Sequence, residues 1–335
     1  MLPLVPYKMT PYMKTFLSGL LLLVLAGCGS DDSGNGNNNE SRDYKQDMRD
    51  FVIGISQAAK AVNPNFAVIP QNGIELVTLT GEQGGAPATA YLNAIDGNGQ
   101  EDLFYGYDDD NVATPAGATS YLRSFLDVSK NAGKKILVTD YCWSAAKVAD
   151  SYTKNENAGY ISYAAEDRNL ALIPDSAPHN ENAGVITSLA QAKNHIFFIN
   201  PENFNTKQQF INAVRATNYD VVIMDLFLDD GAFTAAEVEQ LRYKSNGGRR
   251  LVICYMSIGE AEDYRYYWQN SWDSNRPSWI AAENPDWPGN YKVKYWNAEW
   301  QALIYGQSDS YLTKITDAGF DGVYLDIIDA FEYFE

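Results

Sequence analysis

The sequence predicts an α/β fold, a single (β/α)8 barrel spanning residues 43–335. Short apolar runs alternate with amphipathic helical segments from Phe66 onward, the pattern of a parallel sheet with covering helices. A stretch of 293 residues is enough for one barrel of ~250 residues, and nothing inside it reads as a second linker. No Gly-rich phosphate loop follows any of the apolar runs, so nothing favours a doubly wound open sheet.

Taken in order, strands are expected at 66–71, 102–107, 135–141, 160–164, 195–200, 219–226, 250–258 and 322–327. Each is apolar enough to be buried on both faces. A further run, 291–296, alternates Lys with aromatic residues and follows a long irregular segment, so it is kept out of the barrel. A helix is expected over 44–61, ahead of the first strand. Thr234-Ala235-Ala236-Glu237 forms a capping box at another helix start. Gly133 and Gly319 follow helical runs, where the chain needs a left-handed residue.

The first 42 residues are of a different kind. From Met13, read as the start, one Lys precedes an apolar run that ends in Leu25-Ala26-Gly27-Cys28. This is the layout of a secretory signal over 1–27, and the run from Phe16 to Gly27 is shorter than the ~20 residues a membrane span needs. The Leu-Ala-Gly-Cys ending resembles the lipobox of bacterial lipoproteins, which implies lipidation at Cys28. Residues 28–42 then form a polar, Asn- and Gly-rich tether, whose acidic start at Ser30-Asp31-Asp32 resembles an outer-surface sorting signal. The implied location is the cell envelope, at the outer membrane.

Net charge is −18, from 25 basic and 43 acidic residues. That balance disfavours nucleic acid, which is bound by Lys and Arg stripes, and it favours cationic ligands such as polymers with free amines. Besides Cys28 only Cys142 and Cys254 occur, each in an apolar run and read as a buried thiol. The two histidines, His179 and His195, supply too little for a Ser-His-Asp triad or a zinc site. No metal and no cofactor is expected, and the molecule is expected to be a monomer.

Carboxylates remain as the chemistry. Asp225, Glu260, Asp326, Glu101 and Asp140 lie at or beside strand ends, mostly the C-terminal ends where barrels place their active sites. Six of the seven tryptophans fall between 268 and 300. Most are expected to pack in a lid, with one or two, such as Trp296, meeting sugar.

Longer motifs carry a resemblance. SIGEAEDYRYYW (257–268), ENPDWPGNYKVKYWNAEW (283–300), GFDGVYLDIIDAFEYF (319–334), IPQNGIEL (69–76), IDGNGQEDLFYGYDDDN (95–111) and ILVTDYC (136–142) resemble glycoside hydrolase family 114, in the "cysteinyl-tRNA synthetase-related" branch placed with endo-α-1,4-polygalactosaminidases. The two halves stand in exchanged order, as in a circular permutation of that family. A closed barrel tolerates such an exchange because its ends lie close together. The resemblance implies hydrolysis of an α-linked, amino-sugar-containing polysaccharide by a retaining two-carboxylate mechanism. It puts the nucleophile on Asp326 and the acid/base on Glu101, in the approach to the sixth strand of the family order, with Glu260 as the rival acid/base. Asp225, Glu260, Asp140, Tyr141, Tyr324 and Trp296 are the expected substrate contacts. The reading from another class is a non-catalytic glycan-binding lipoprotein on the same barrel.

Overall fold

The computed structural model describes residues 42–201, 203–228 and 231–335. The signal segment, Cys28 and the tether as far as Ser41 lie outside the described residues.

Helix α1 (Tyr44–Val62) turns Met48, Phe51, Val52, Ile55 and Ala59 inward at the three- and four-residue spacing of one helix face. The chain then runs through β1 (Ala67–Pro70), α2 (Thr89–Ala94), β2 (Gly97–Glu101), α3 (Ala116–Asn131), β3 (Lys135–Tyr141), α4 (Ala145–Ala158) and β4 (Ile161–Ala165). After a long segment come β5 (Ile196–Phe197), α5 (Lys207–Arg215), β6 (Val221–Met224), a hairpin of β7 (Phe227–Leu228) and β8 (Gly231–Ala232), and α6 (Ala235–Leu241). β9 (Leu251–Ser257) leads into a separate antiparallel sheet of β10 (Glu260–Glu262), β11 (Ile280–Glu283) and β12 (Asn290–Val293). The chain closes with α7 (Ala298–Ile304), α8 (Tyr311–Asp317), β13 (Gly322–Asp326) and α9 (Phe331–Phe334).

Eight of these strands are parallel neighbours. One sheet runs β1-β13-β9-β6-β5 and another β2-β3-β4. β1 joins β2 through a Gln71–Gly99 bridge and a bond from the Asp96 amide to the Val68 carbonyl, 2.9 Å. The run 291–296 falls on β12, outside these eight, in keeping with its exclusion.

The registers fix which side chains share a face, because that face repeats every second residue. Tyr324 pairs with both Ile69 and Tyr255, Asp326 with Ser257, Glu101 with Thr139, and Thr139 with Tyr163. On this common face the Tyr324 ring lies 5.0 Å from Phe197 of β5, three strands away in one direction. A Cβ on Gly99 of β2, two strands away in the other, would fall 2.0 Å from the Tyr324 Oη. One ring can reach both only if the strands curl round it. Gly99 leaves the room that this ring needs.

One expected strand was misplaced. The apolar Leu103-Phe104-Tyr105 run is an irregular segment, and the strand is the Gly-rich Gly97–Glu101 before it. Gly99 lacks a side chain there because bulk arrives from Tyr324, while Leu103 and Phe104 are buried in the segment that follows. The capping box at Thr234 and Glu237 forms, and Gly133 and Gly319 have φ of 81° and 79°.

Candidate active site

Glu101 ends β2 and Asp326 ends β13, the two strands that flank β1. Both side chains issue from the common face at the C-terminal edge. The earlier placement of Glu101 before its strand is thereby corrected, since it is the strand's last residue.

Glu101 is surrounded by donors. Gln71 Nε2 donates to its Oε2 at 2.5 Å and Asn72 Nδ2 at 3.2 Å, while the Tyr141 hydroxyl donates to Oε1. Gln71 and Asn72 follow directly on β1, and Asn72 is held left-handed at φ 57°, with its Oδ1 accepting from the Glu101 amide at 3.1 Å.

Asp326 accepts from the Tyr255 hydroxyl at 2.6 Å. Burial pushes its carboxyl up to about 8, against the Tyr255 donor that favours the charged form, and the negative charge of Glu101 adds to the rise. The two acids thus sense each other electrostatically. Asp329, one turn further on, is also pushed up to about 7, chiefly by burial and then by Glu332.

The other expected contacts divide. Tyr141 is almost fully buried and serves Glu101. Tyr324 is fully buried beneath the two acids, so it forms the floor of the site and cannot touch substrate. Asp225, on the common face after β6, is gripped by Arg265 through two bonds of 2.9 and 2.7 Å, and Arg265 also binds Glu262 at 2.6 Å. Glu260 is 1% exposed, accepts from Asn284 Nδ2 at 2.8 Å, and lies 3.6 Å from Lys292 Nζ.

Asp140 is a correction. It alternates with Thr139 and Tyr141 and therefore points to the opposite face, towards α4. Fully buried there, it accepts from the Phe104 and Tyr105 amides at 2.8 and 3.2 Å, from Ser151 Oγ at 2.6 Å and from Asn155 Nδ2 at 3.1 Å. No acceptor is left for a sugar. The Trp296 ring is partly exposed and packs on Tyr44, Tyr295 and Phe334 at centroid distances of 5.1, 5.1 and 4.8 Å. Among the lid tryptophans Trp272, Trp279 and Trp300 are buried, whereas Trp287 is exposed.

The sequence reading missed Tyr255, Arg168 and Trp143. Trp143 is 50% exposed just beyond the C-terminal end of β3, in the one tryptophan position away from the 268–300 cluster. Gln71 and Asn72 belonged to a quoted motif, but their role as donors to Glu101 needed the fold. Cys142 and Cys254 are free, buried thiols. Burial pushes the His195 imidazole down to about 3, so it is neutral. Among the described residues no three His, Cys, Asp or Glu side chains are grouped to hold a metal ion.

Residues 186–335 match the model of glycoside-hydrolase family GH114. Uncharacterized proteins of Methanocaldococcus jannaschii and Deinococcus radiodurans are each 44% identical to the chain over 126 residues, which is 37% of this chain and 34% and 38% of theirs. An uncharacterized protein of Thermotoga maritima is 39% identical over 120 residues, 36% of each chain. The chain spans about a third of the length of these relatives.

Proposed function

Residues 186–335 belong to glycoside-hydrolase family GH114, and on that premise we propose that this chain hydrolyses an α-linked, amino-sugar-containing polysaccharide with Asp326 and Glu101 as its two working carboxylates. The observation that carries the reading is their contrast at one mouth. Three side-chain donors surround Glu101, whereas Asp326 has one, Tyr255, and a carboxyl pushed up to about 8. Glycoside hydrolysis needs one carboxylate and one carboxylic acid across the scissile bond.

In the first step Asp326 attacks the anomeric carbon while Glu101 gives a proton to the departing glycosidic oxygen, leaving a glycosyl ester. In the second step water, deprotonated by Glu101, releases the sugar and restores Asp326. Attack requires an ionised Asp326 and a protonated Glu101, so proton exchange that frees Asp326 precedes it. A substrate ammonium beside Asp326 favours its charged form and drives the exchange. The net charge of −18 makes the surroundings receptive to such a cation.

The same reading takes the eight parallel strands as a closed (β/α)8 barrel in permuted family order. The curl about Tyr324 and the β1–β2 bridge support closure. It also takes Cys28 as a lipid anchor that holds the enzyme, as a monomer, at the outer membrane. Palmitate labelling lost in Cys28→Ser would support the anchor, and labelling retained would remove it.

The test is release of reducing ends from deacetylated galactosamine polymers and acetylated controls by the full chain, beside Asp326→Asn and Glu101→Gln. Trapping with a fluorinated glycoside, mapped by mass spectrometry, then names the nucleophile. An ester on Asp326 supports the roles given, and an ester on Glu101 reverses them. Polymer binding without cleavage in all three proteins would replace the enzyme by a glycan-binding lipoprotein.

A further inference from the structure

Arg168 touches neither carboxylate, yet its surroundings are built around a single geometry. It lies just beyond β4, with side chain 11% exposed. Its guanidinium donates to both oxygens of Asp102 at 2.8 and 3.2 Å, to Asp110 through Nε at 2.7 Å, and to the Gly106 carbonyl at 3.0 Å. All the partners come from the segment after β2. With its edges bound, the guanidinium is left with its flat face, and the central carbon sits 3.8 Å from the Tyr141 ring centroid. A planar fork bound on its edges and stacked on a ring is a use of Arg that Lys cannot reproduce.

The backbone is bent to allow it. Asp102, a non-glycine residue, is held at φ 58°, in the left-handed region that costs such residues energy. Gly106 has φ 117°, and a Cβ there would fall 2.1 Å from Asp102 Oδ1 and 2.9 Å from an Arg168 nitrogen. Strain and a required glycine meet at the same clamp.

Tyr141 links this clamp to Glu101 through ring stacking and a hydrogen bond. Its ring is fixed by Arg168 on one face, and its hydroxyl donates to Glu101 Oε1. We propose that Arg168 is a positioning residue for Glu101, acting through the Tyr141 ring stacked on it. The inference rests on the reading that Glu101 is a working carboxylate. It adds that a donor to Glu101 is held from beyond β4, two strands away from β2.

Arg168→Lys keeps the positive charge beside Asp102 and Asp110 but gives up the stacked fork, so it separates positioning from simple charge compensation. Tyr141→Phe removes the hydroxyl and leaves the ionic clamp in place. The readout is the titration of the Glu101 carboxyl in full-length protein carrying 13C at the Glu side-chain carboxyl, assigned with Glu101→Gln. Loss of the phenol donor disfavours the ionised form. Tyr141→Phe should therefore move the titration to higher pH by about half a unit or more, the scale of one charge-assisted hydrogen bond. Arg168→Lys should move it in the same direction, and should add nothing in the Tyr141→Phe background. A wild-type titration in Arg168→Lys would reduce Arg168 to a counter-charge and overturn the proposal. So would an equal shift in both backgrounds, or no shift in Tyr141→Phe alone, which stands even if Arg168→Lys does not fold. Hydrolysis undiminished in Glu101→Gln would instead remove the reading beneath it, whatever the titrations give.

Discussion

The two sides of the mouth treat the same chemical group in opposite ways. On the β2 side, Glu101 meets three side-chain donors, one of them stacked on an arginine. On the β13 side, Asp326 meets one tyrosine and is otherwise buried, with its carboxyl pushed up to about 8. Both strands end at the same edge and differ in what the neighbouring strands deliver. The contrast teaches that two carboxylates ending neighbouring strands of one fold can be given very different sets of donors, with no histidine between them.

The largest effect should come from removing either side outright. Asp326→Asn and Glu101→Gln should each lower kcat/KM on a galactosamine polymer by about 10²–10⁴-fold, with circular dichroism unchanged. Full activity in either variant would break the comparison at once. Next comes the floor that both acids share. Gly99→Ala drives a methyl into the fully buried Tyr324 ring and should cost about 1–3 kcal/mol, read from the denaturant midpoint. An unchanged midpoint would mean that the ring has room to retreat.

Tyr255→Phe sharpens the contrast by taking from Asp326 its side-chain donor. Asp326 should then hold its proton still more tightly, and turnover near neutrality should fall by about tenfold, the equivalent of one hydrogen bond. A further comparison reads stability against pH. Asp326 titrates near 4 when unfolded and about 8 when folded, so its contribution is fully present below about pH 4 and is lost as pH rises to about 8. Asp326→Asn removes that slope. Unfolding temperatures measured at about pH 5 and about pH 8.5 should lie closer together in the variant than in the wild type. Equal separations would assign the raised carboxyl to Asp329 instead.

Strands that read as apolar runs were legible from sequence because burial on both faces leaves a continuous signal. β3 and β9 lie within a residue of their expected bounds. β2 was not legible, because Gly99 is there for a tyrosine that arrives from more than 200 residues later in the chain. No local pattern announces such a partner. The acids were legible as strand-end residues, but their direction was not. Asp140 and Tyr141 are adjacent, and only the register shows that one faces α4 and the other faces Glu101. Arg168 carried no signal at all, since its meaning lies in the plane of one side chain lying flat on another.

Among the described residues no backbone ladder joins β4 to β5, and β5 is only two residues long. What fills that seam is side chains, with Tyr163 edge-on to both His195 and Tyr219 at centroid distances of 6.2 and 6.3 Å. Rings can part and return without breaking a row of amide bonds. The amides of Ile161–Ala165 that face the seam should then be among the first of any strand to trade their protons for deuterium, while those of β9 and β13 wait for the whole molecule to open. If so, the protein breathes along one line, and that line runs beside the loop that carries Arg168.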